Sequence, residues 1–322
     1  MLMDRPYRRS PGLTDRLFSM VALPAALILR EYRRFGSDRL PLTTGMLRAK
    51  GVFPLLNWYT EPLFKPDELL HPLDVDRWLP GIDFNDAVQL EIIGGFKATD
   101  ELVSMAWTSP PDVPNAFRIH NRYYDGGDAD FFYQMLRWLK PRRLIEVGAG
   151  HSTKIARLAL ERNAAETGVV TEHRCIEPFE VDRLAGWSGF ELIRERVENV
   201  KLDWSKELSA GDVLFIDSSH MIRPQGDVVV ELLEILPQLA PGVIVHFHDI
   251  HTPRDVPAQW LEVDVRFWNE QYLLEALLSD SPRYEIVAAL NYLRHHHYDV
   301  LASVCPYLNQ QTEPSSFYLR IR

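Results

Sequence analysis

Cysteine is nearly missing from this 322-residue chain: only Cys175 and Cys305 occur. Two thiols that far apart build neither a disulfide framework nor a zinc knuckle. Cys175 falls in an apolar, strand-like run and is expected to be buried. Long apolar runs are missing too. The longest near the N-terminus, Met20–Leu29, has ten residues and contains Pro24, whereas a membrane-spanning helix needs about 20. No clean small-residue cleavage site precedes Arg30-Glu-Tyr-Arg-Arg34, so a secretory leader is not indicated. Net positive charge is also missing. A balance of −10 argues against a general nucleic-acid binder. No internal repeat or low-complexity segment stands out. An apolar content of 46% and a charged content of 25% are those of an ordinary globular protein, and a cytoplasmic location is the simplest expectation.

The chain does have a glycine turn in the right place. Leu144, Ile145 and Val147 form a β-type run, Gly148 and Gly150 follow, and Ser152-Thr153 opens a helix. A strand that enters such a turn brings its backbone close to a nucleotide at the helix N-terminus. Glycine leaves no Cβ in the way and permits positive φ. Position 153 is Thr, so the third glycine of a dinucleotide fingerprint is missing. Glu146, Gly148, Ala149, Gly150, Ser152 and Thr153 are the candidate cofactor contacts here.

Residues 1–50 differ from the rest: ten Lys/Arg stand against four Asp/Glu. Leu17–Arg34 reads as a basic amphipathic helix interrupted near Pro24. It would contact a membrane surface, or pack on the main domain or a neighbouring subunit of a homo-oligomer. Residues 51–122 read as a Pro- and Trp-rich extension or lid over one mouth of the main domain, with aromatics in its core and one helix over Asp86–Leu102. Asp128 is read as the N-cap of a helix that ends at Lys140.

From 123 to 322 strand and helix patterns alternate. Strands are expected at 142–147, 174–177, 190–194, 212–217, 243–247, 284–290 and 316–322. Helices are expected at 152–163, 181–187, 227–239 and 267–278, and His295-His296-His297 is expected in a solvated polar loop. Repeated β-α units imply a mainly parallel sheet with helices on both faces.

Polar residues sit where the strands end. Glu177 closes the second strand, where a carboxylate can accept both ribose hydroxyls of a nucleoside. Asp217 closes the fourth, with His220 three residues on, and His248-Asp249 closes the fifth, with His246 and His251 nearby. Ligands of open parallel sheets bind at this edge. Buried carboxylates there need a metal, a histidine or a substrate. His220 serves either as a general base or as a hydrogen-bonding group of its turn. Asn269, Glu270 and Gln271 either reach an acceptor or cap the following helix and pair with Arg266 or the N-terminal extension.

Glu146-Val-Gly-Ala-Gly150, Glu177 and the two later strand ends resemble class I S-adenosylmethionine (SAM)-dependent methyltransferases over about 125–322. The resemblance implies a Rossmann-like α/β fold with a seven-stranded, mainly parallel sheet, here with an N-terminal extension, and a SAM site to which Asp217 also belongs. A helix in the position of the one beginning at Asp128 commonly borders the cofactor, so Asp128 is either a SAM contact or only a cap. Asp217-Ser-Ser-His220 and His248-Asp-Ile-His-Thr252 are similar to segments of metal-dependent macrolide sugar O-methyltransferases. By that resemblance Asp217 and Asp249 bind Mg²⁺ or another divalent ion, and His220 is the general base. Position 248 is His where that family has Glu, so His248 enters the candidate metal and catalytic set, and the third carboxylate has no counterpart. Trp58-Tyr-Thr-Glu-Pro-Leu-Phe64, Leu79-Pro-Gly-Ile-Asp83 and Phe267-Trp-Asn-Glu-Gln-Tyr272 are similar to bacterial methyltransferase-like proteins over nearly the whole chain. The implied activity is O-methylation of a small hydroxylated acceptor, a sugar or natural product. The alternatives are SAM-dependent transfer of another group and a non-catalytic, membrane-associated role.

Overall fold

In a computed structural model, residues 12–64, 68–108, 116–121, 123–179 and 181–322 are described. The chain divides into two compact units, Met1–Leu70 and His71–Arg322.

The first unit holds helix α1 (Leu13–Phe35) and helix α2 (Pro41–Ala49). Tyr32 Oη lies 2.7 Å from Thr44 Oγ1 and joins them. The expected interruption at Pro24 is absent, and α1 runs through it. Proline removes one amide donor from the ladder, and on so exposed a helix water can take the carbonyl left over. Trp58, expected in a core, is 61% exposed.

The second unit begins with α3 (Asp86–Gly95) and α4 (Thr99–Ser104). These replace the single helix expected over Asp86–Leu102. Gly94-Gly95 ends α3, and a side chain at Gly95 would meet the Trp138 indole. Gln134 then accepts the Ala98 amide at 3.0 Å and redirects the chain. Ile92, Ile93 and Leu102 enter the main core, so this stretch is part of the domain body. Trp78 is 87% exposed, again against expectation.

The sheet comprises β1 (Arg143–Val147), β2 (Glu172–Ile176), β3 (Glu191–Ile193), β4 (Val213–Ile216), β5 (Ile244–Phe247), β6 (Tyr284–Ala289) and β7 (Phe317–Ile321). Their order is β3-β2-β1-β4-β5-β7-β6. Strands β1 to β5 are parallel, and β7 inserts antiparallel between β5 and β6. This is the Rossmann-like, seven-stranded sheet that the resemblance implies. Side chains alternate between the faces with period two. Leu144, Val213, Phe215 and Tyr318 pack under α5 (Asp128–Leu139) and α6 (His151–Thr167). Ile145, Leu214, Val245 and Leu319 face the opposite layer. That layer includes α7 (Trp204–Glu207), α8 (Asp227–Val230) and α9 (Glu270–Leu278). After α8 the helix widens over Glu231–Ile235 and tightens over Leu236–Gln238, because Pro237 cannot donate to the regular ladder.

Three local expectations change. Asp128 is the first residue of α5 and not its N-cap, which is Gly127. Its carboxylate instead accepts the amides of Ser315 (3.0 Å) and Ser316 (2.7 Å) ahead of β7. His295 and His296 end helix α10 (Leu290–His296), and α11 (Tyr298–Val304) follows, so the polar loop expected there is helical. The three histidines meet Glu313, Asp76 and Asp86 respectively. The helix expected at 181–187 is a short 3₁₀ turn, Val181–Leu184. Cys175 is buried as expected.

Asp130 is fully buried and accepts the amides of Gly127 (2.7 Å) and Tyr307 (3.0 Å). Burial outweighs those amides and raises its carboxyl to about 7. An unfolded aspartate ionises near ~3.9, so the folded state binds the extra proton between those values. Stability is therefore expected to fall as pH rises from about 4 to about 7, by on the order of a few kcal/mol. Asp130→Asn should start less stable, having lost one acceptor, but should lose this slope in denaturant titrations. An unchanged slope would assign the pH dependence to other groups.

Candidate active site

Strand β1 delivers the glycine turn to the carboxyl edge of the sheet. Gly148 has φ +86° and donates its amide to Ile176 at 3.0 Å. A Cβ there would lie 1.9 Å from the Asp217 carbonyl oxygen, so only glycine lets the β1 and β4 turns touch. Gly148→Ala is expected to cost at least about 1–3 kcal/mol from its positive φ alone. It should also displace the Asp217 peptide. Denaturant unfolding and calorimetric SAM titration check both, and a variant with wild-type stability and affinity would contradict this account of the turn.

Glu146 is fully buried beneath the turn. One oxygen accepts from Ser152 Oγ (2.9 Å) and Thr153 Oγ1 (3.2 Å), and the other lies 2.5 Å from His173 Nε2. Thr153 Oγ1 also accepts the Gly150 amide at 3.0 Å. Glu146 and Thr153 thus brace the turn from behind, while Gly148, Ala149, Gly150 and Ser152 line the cleft. Glu177, just past β2, accepts the amides of Ala149 (3.2 Å) and Phe179 (2.6 Å) and lines the cleft beside them.

The cleft encloses about 1310 Å³. That exceeds the roughly 300–1,000 Å³ usual for one small ligand and leaves room for two side by side. No described residue of 71–108 lines it, so that part of the expected lid packs elsewhere. His120 and Tyr123 do line it, and Tyr123 stacks on His151 at 5.9 Å.

The strand ends of β4 and β5 bring Asp217, His220, His248 and Asp249 together. His220 and Asp249 both hold positive φ, 57° and 62°. The His220 carbonyl accepts the amides of Asn269 (3.0 Å) and Glu270 (3.2 Å), which anchors its turn to the start of α9. Its ring is equally well held. Nδ1 lies 2.8 Å from Glu270 Oε2, while Nε2 lies 3.2 Å from Asp217 and 3.5 Å from Asp249. Trp268 covers the ring at 4.4 Å. Burial opposes a proton on His220, but Asp217, Glu270 and Asp249 outweigh it and raise its pKa well above the ordinary value.

His248 is buried, with Nδ1 3.5 Å from Asp249 and 3.6 Å from Asp217, longer than hydrogen bonds. Burial again opposes its proton, and Asp249, Asp217 and Asp128 again raise its pKa. Burial also works against the charge of Asp217, yet His248 and His220 hold its carboxyl well below the usual range. Asp217, His248 and Asp249 each offer one ligand atom, and these atoms lie within 4.8 Å of one another. Two carboxylates and a buried imidazole nitrogen without a hydrogen bond fit a divalent cation. Binding one would oppose the protonation that these carboxylates favour on the rings.

Glu270 was one of three residues offered as acceptor contacts, and none of the three lines the cleft. Asn269 accepts the Ile222 amide at 2.7 Å, and Gln271 joins His251 to Arg254. His246 is buried in β5 against Tyr318 at 4.0 Å, and burial lowers its pKa well below the ordinary value. His251 is likewise buried, which lowers it to about 4. Neither lines the cleft. Sequence reasoning missed the outer wall, where Trp260 and Trp268 meet at 5.0 Å and Arg266 lies over both rings. Trp-rich residues just before α9 were the one available signal.

Residues 145–250 match the family model described as a methyltransferase domain. That stretch is a methyltransferase-like domain, and it spans the core of the parallel sheet from β1 to just past β5. No match is found among curated protein sequences. Among solved structures, the chain is similar to an O-methyltransferase from Bacillus cereus in complex with SAH, at 12% identity and a TM-score of 0.37. That likeness covers 71% of this chain and 100% of the other. It is also similar to CmcI with Mg and SAM (13%, 66% and 82% coverage, TM-score 0.37). A third is a TDP-rhamnose 3′-O-methyltransferase of calicheamicin biosynthesis (13%, 69% and 92% coverage, TM-score 0.34). Scores of this size carry no weight for the acceptor or the metal.

Proposed function

We propose that this methyltransferase is an O-methyltransferase for a small hydroxylated acceptor, a sugar or natural product, with His220 as its general base. The observation that carries the reading is the held imidazole. Glu270 fixes Nδ1, so Nε2 faces the cleft between Asp217 and Asp249. A hydroxyl is a poor nucleophile near neutral pH, and a positioned base that takes its proton contributes about 10²–10⁴-fold. Gly148, Ala149, Gly150, Ser152 and Glu177 would hold SAM, with Glu177 toward its ribose hydroxyls. Alignment of acceptor oxygen and donor methyl then contributes further through proximity.

Asp217, Asp249 and His248 would hold a divalent cation. When bound, it would lower the pKa of an acceptor hydroxyl and clamp a neighbouring oxygen. An imidazole beside two carboxylates suits a transition metal better than Mg²⁺, which prefers oxygen throughout. The cation also balances charge. By drawing on Asp217 and Asp249 it would weaken the pull that raises the pKa of His220, and the neutral ring is the form that acts as a base.

Calorimetric titration with SAM and with S-adenosylhomocysteine tests the donor site. Both should bind, and failure of both to bind folded protein would sink the proposal. With an accepted substrate, the product should gain about 14 Da, the mass of the CH₂ unit added by methylation. A different gain would point to transfer of another group. Equal turnover with and without chelator would remove the cation alone.

A further inference from the structure

Helix α1 presents an apolar surface with little of the protein on it. Of its residues only Tyr32 is buried. Leu13, Leu17, Met20, Val21, Ile28 and Phe35 are 56–76% exposed. Their spacing places all six on one stripe of a helix turning 3.6 residues per turn. Such a stripe is unusual on a free surface and marks something that covers it. None of the described helices is long and apolar enough to cross a membrane.

The charge around the stripe says what covers it. Arg16, Arg30 and Arg34 lie along one margin; Arg30 and Arg34 also pair with Glu31 (3.5 and 3.0 Å), the one acid within the stripe, and their long stems can lie on an apolar layer while the guanidinium reaches polar groups. Arg5, Arg8 and Arg9 precede the helix in sequence. Residues 1–50 are basic, ten Lys/Arg to four Asp/Glu, in a chain of net charge −10. A second copy stacked antiparallel, stripe to stripe, would bring these arginine margins together, which is repulsive, and a parallel copy would leave them without a partner. An anionic bilayer surface complements them and accepts the apolar stripe at the same time.

We propose that α1 is an interfacial helix that docks this chain, stripe down, on the surface of an anionic phospholipid membrane. This rests on α1 alone and is independent of the acceptor and metal assignments.

Co-sedimentation of the full chain with phosphatidylcholine vesicles, and with vesicles that also contain phosphatidylglycerol, tests it. Binding to the anionic vesicles is expected, with little to the neutral ones, and it should weaken as salt screens the arginines. Leu17→Glu with Ile28→Glu should lower the bound fraction by at least about tenfold. Both positions are exposed and outside the cleft, so circular dichroism and SAM affinity should match wild type. Arg16→Glu with Arg30→Glu should reduce only the binding gained from anionic lipid. The proposal is overturned if no vesicle binds, if neutral vesicles bind equally, or if the leucine–isoleucine variant still binds. It is also overturned if sedimentation velocity shows a self-association that this variant abolishes, because a second copy would then cover the stripe.

Discussion

Asp249→Ala should lower methyl transfer by at least about 10³-fold while SAM affinity stays within a few-fold of wild type. Asp249 sits just past β5 with φ +62°, and its Oδ1 accepts from Ser315 Oγ at 3.1 Å. The same carboxylate stands 3.5 Å from both His220 Nε2 and His248 Nδ1. Its loss removes one of three candidate cation ligands and one of the carboxylates that raise the pKa of both rings. The part of the cleft proposed to hold SAM is built by β1 and β2, and β4 separates β1 from β5. The turn around Gly148 and Glu177 should therefore survive. Calorimetry with SAM and with Mn²⁺, beside product formation by mass spectrometry, reads the three effects apart. Asp249→Asn preserves shape and should fail similarly if the charge is what matters. Full turnover in either variant would remove Asp249 from the chemistry.

The fold was legible because its strands are short apolar runs that end in glycine or a carboxylate. Leu144–Val147 runs into Gly148, Val213–Ile216 into Asp217 and Ile244–Phe247 into His248-Asp249, and all of these residues reach the same edge. The aromatic run near the C-terminus marked β7. Its antiparallel insertion beside β5 was not legible, since no local pattern states which neighbour a strand chooses. What stayed illegible depends on distance along the chain. His220 and Glu270 are 50 residues apart, yet 2.8 Å separates their hydrogen-bonding atoms. Glu146 looked like part of the ligand turn, but period-two alternation turns it inward, onto His173 and the start of α6. The polar surface of Leu290–His296 hid α10, because histidines on a partly exposed helix look like those of a loop.

His220→Ala should lower kcat by about 10²–10⁴-fold with little change in SAM affinity. The His220 backbone is tied to α9 through its carbonyl, so loss of the ring should leave the turn in place. Glu270→Gln separates positioning from proton transfer. Burial raises the pKa of Glu270, and the adjacent His220 partly offsets this. Glu270 in turn helps to raise that of His220. A base works when neutral, so the rate should rise with pH through the His220 titration. Removing the Glu270 charge should move that rise to lower pH, and the loss of a fixed tautomer should lower the plateau by about 10–100-fold. The kcat–pH profile of both variants, measured at saturating SAM, decides the matter. A plateau retained in His220→Ala would place the base elsewhere. A profile that Glu270→Gln leaves in position would reduce Glu270 to a packing residue beneath Trp268.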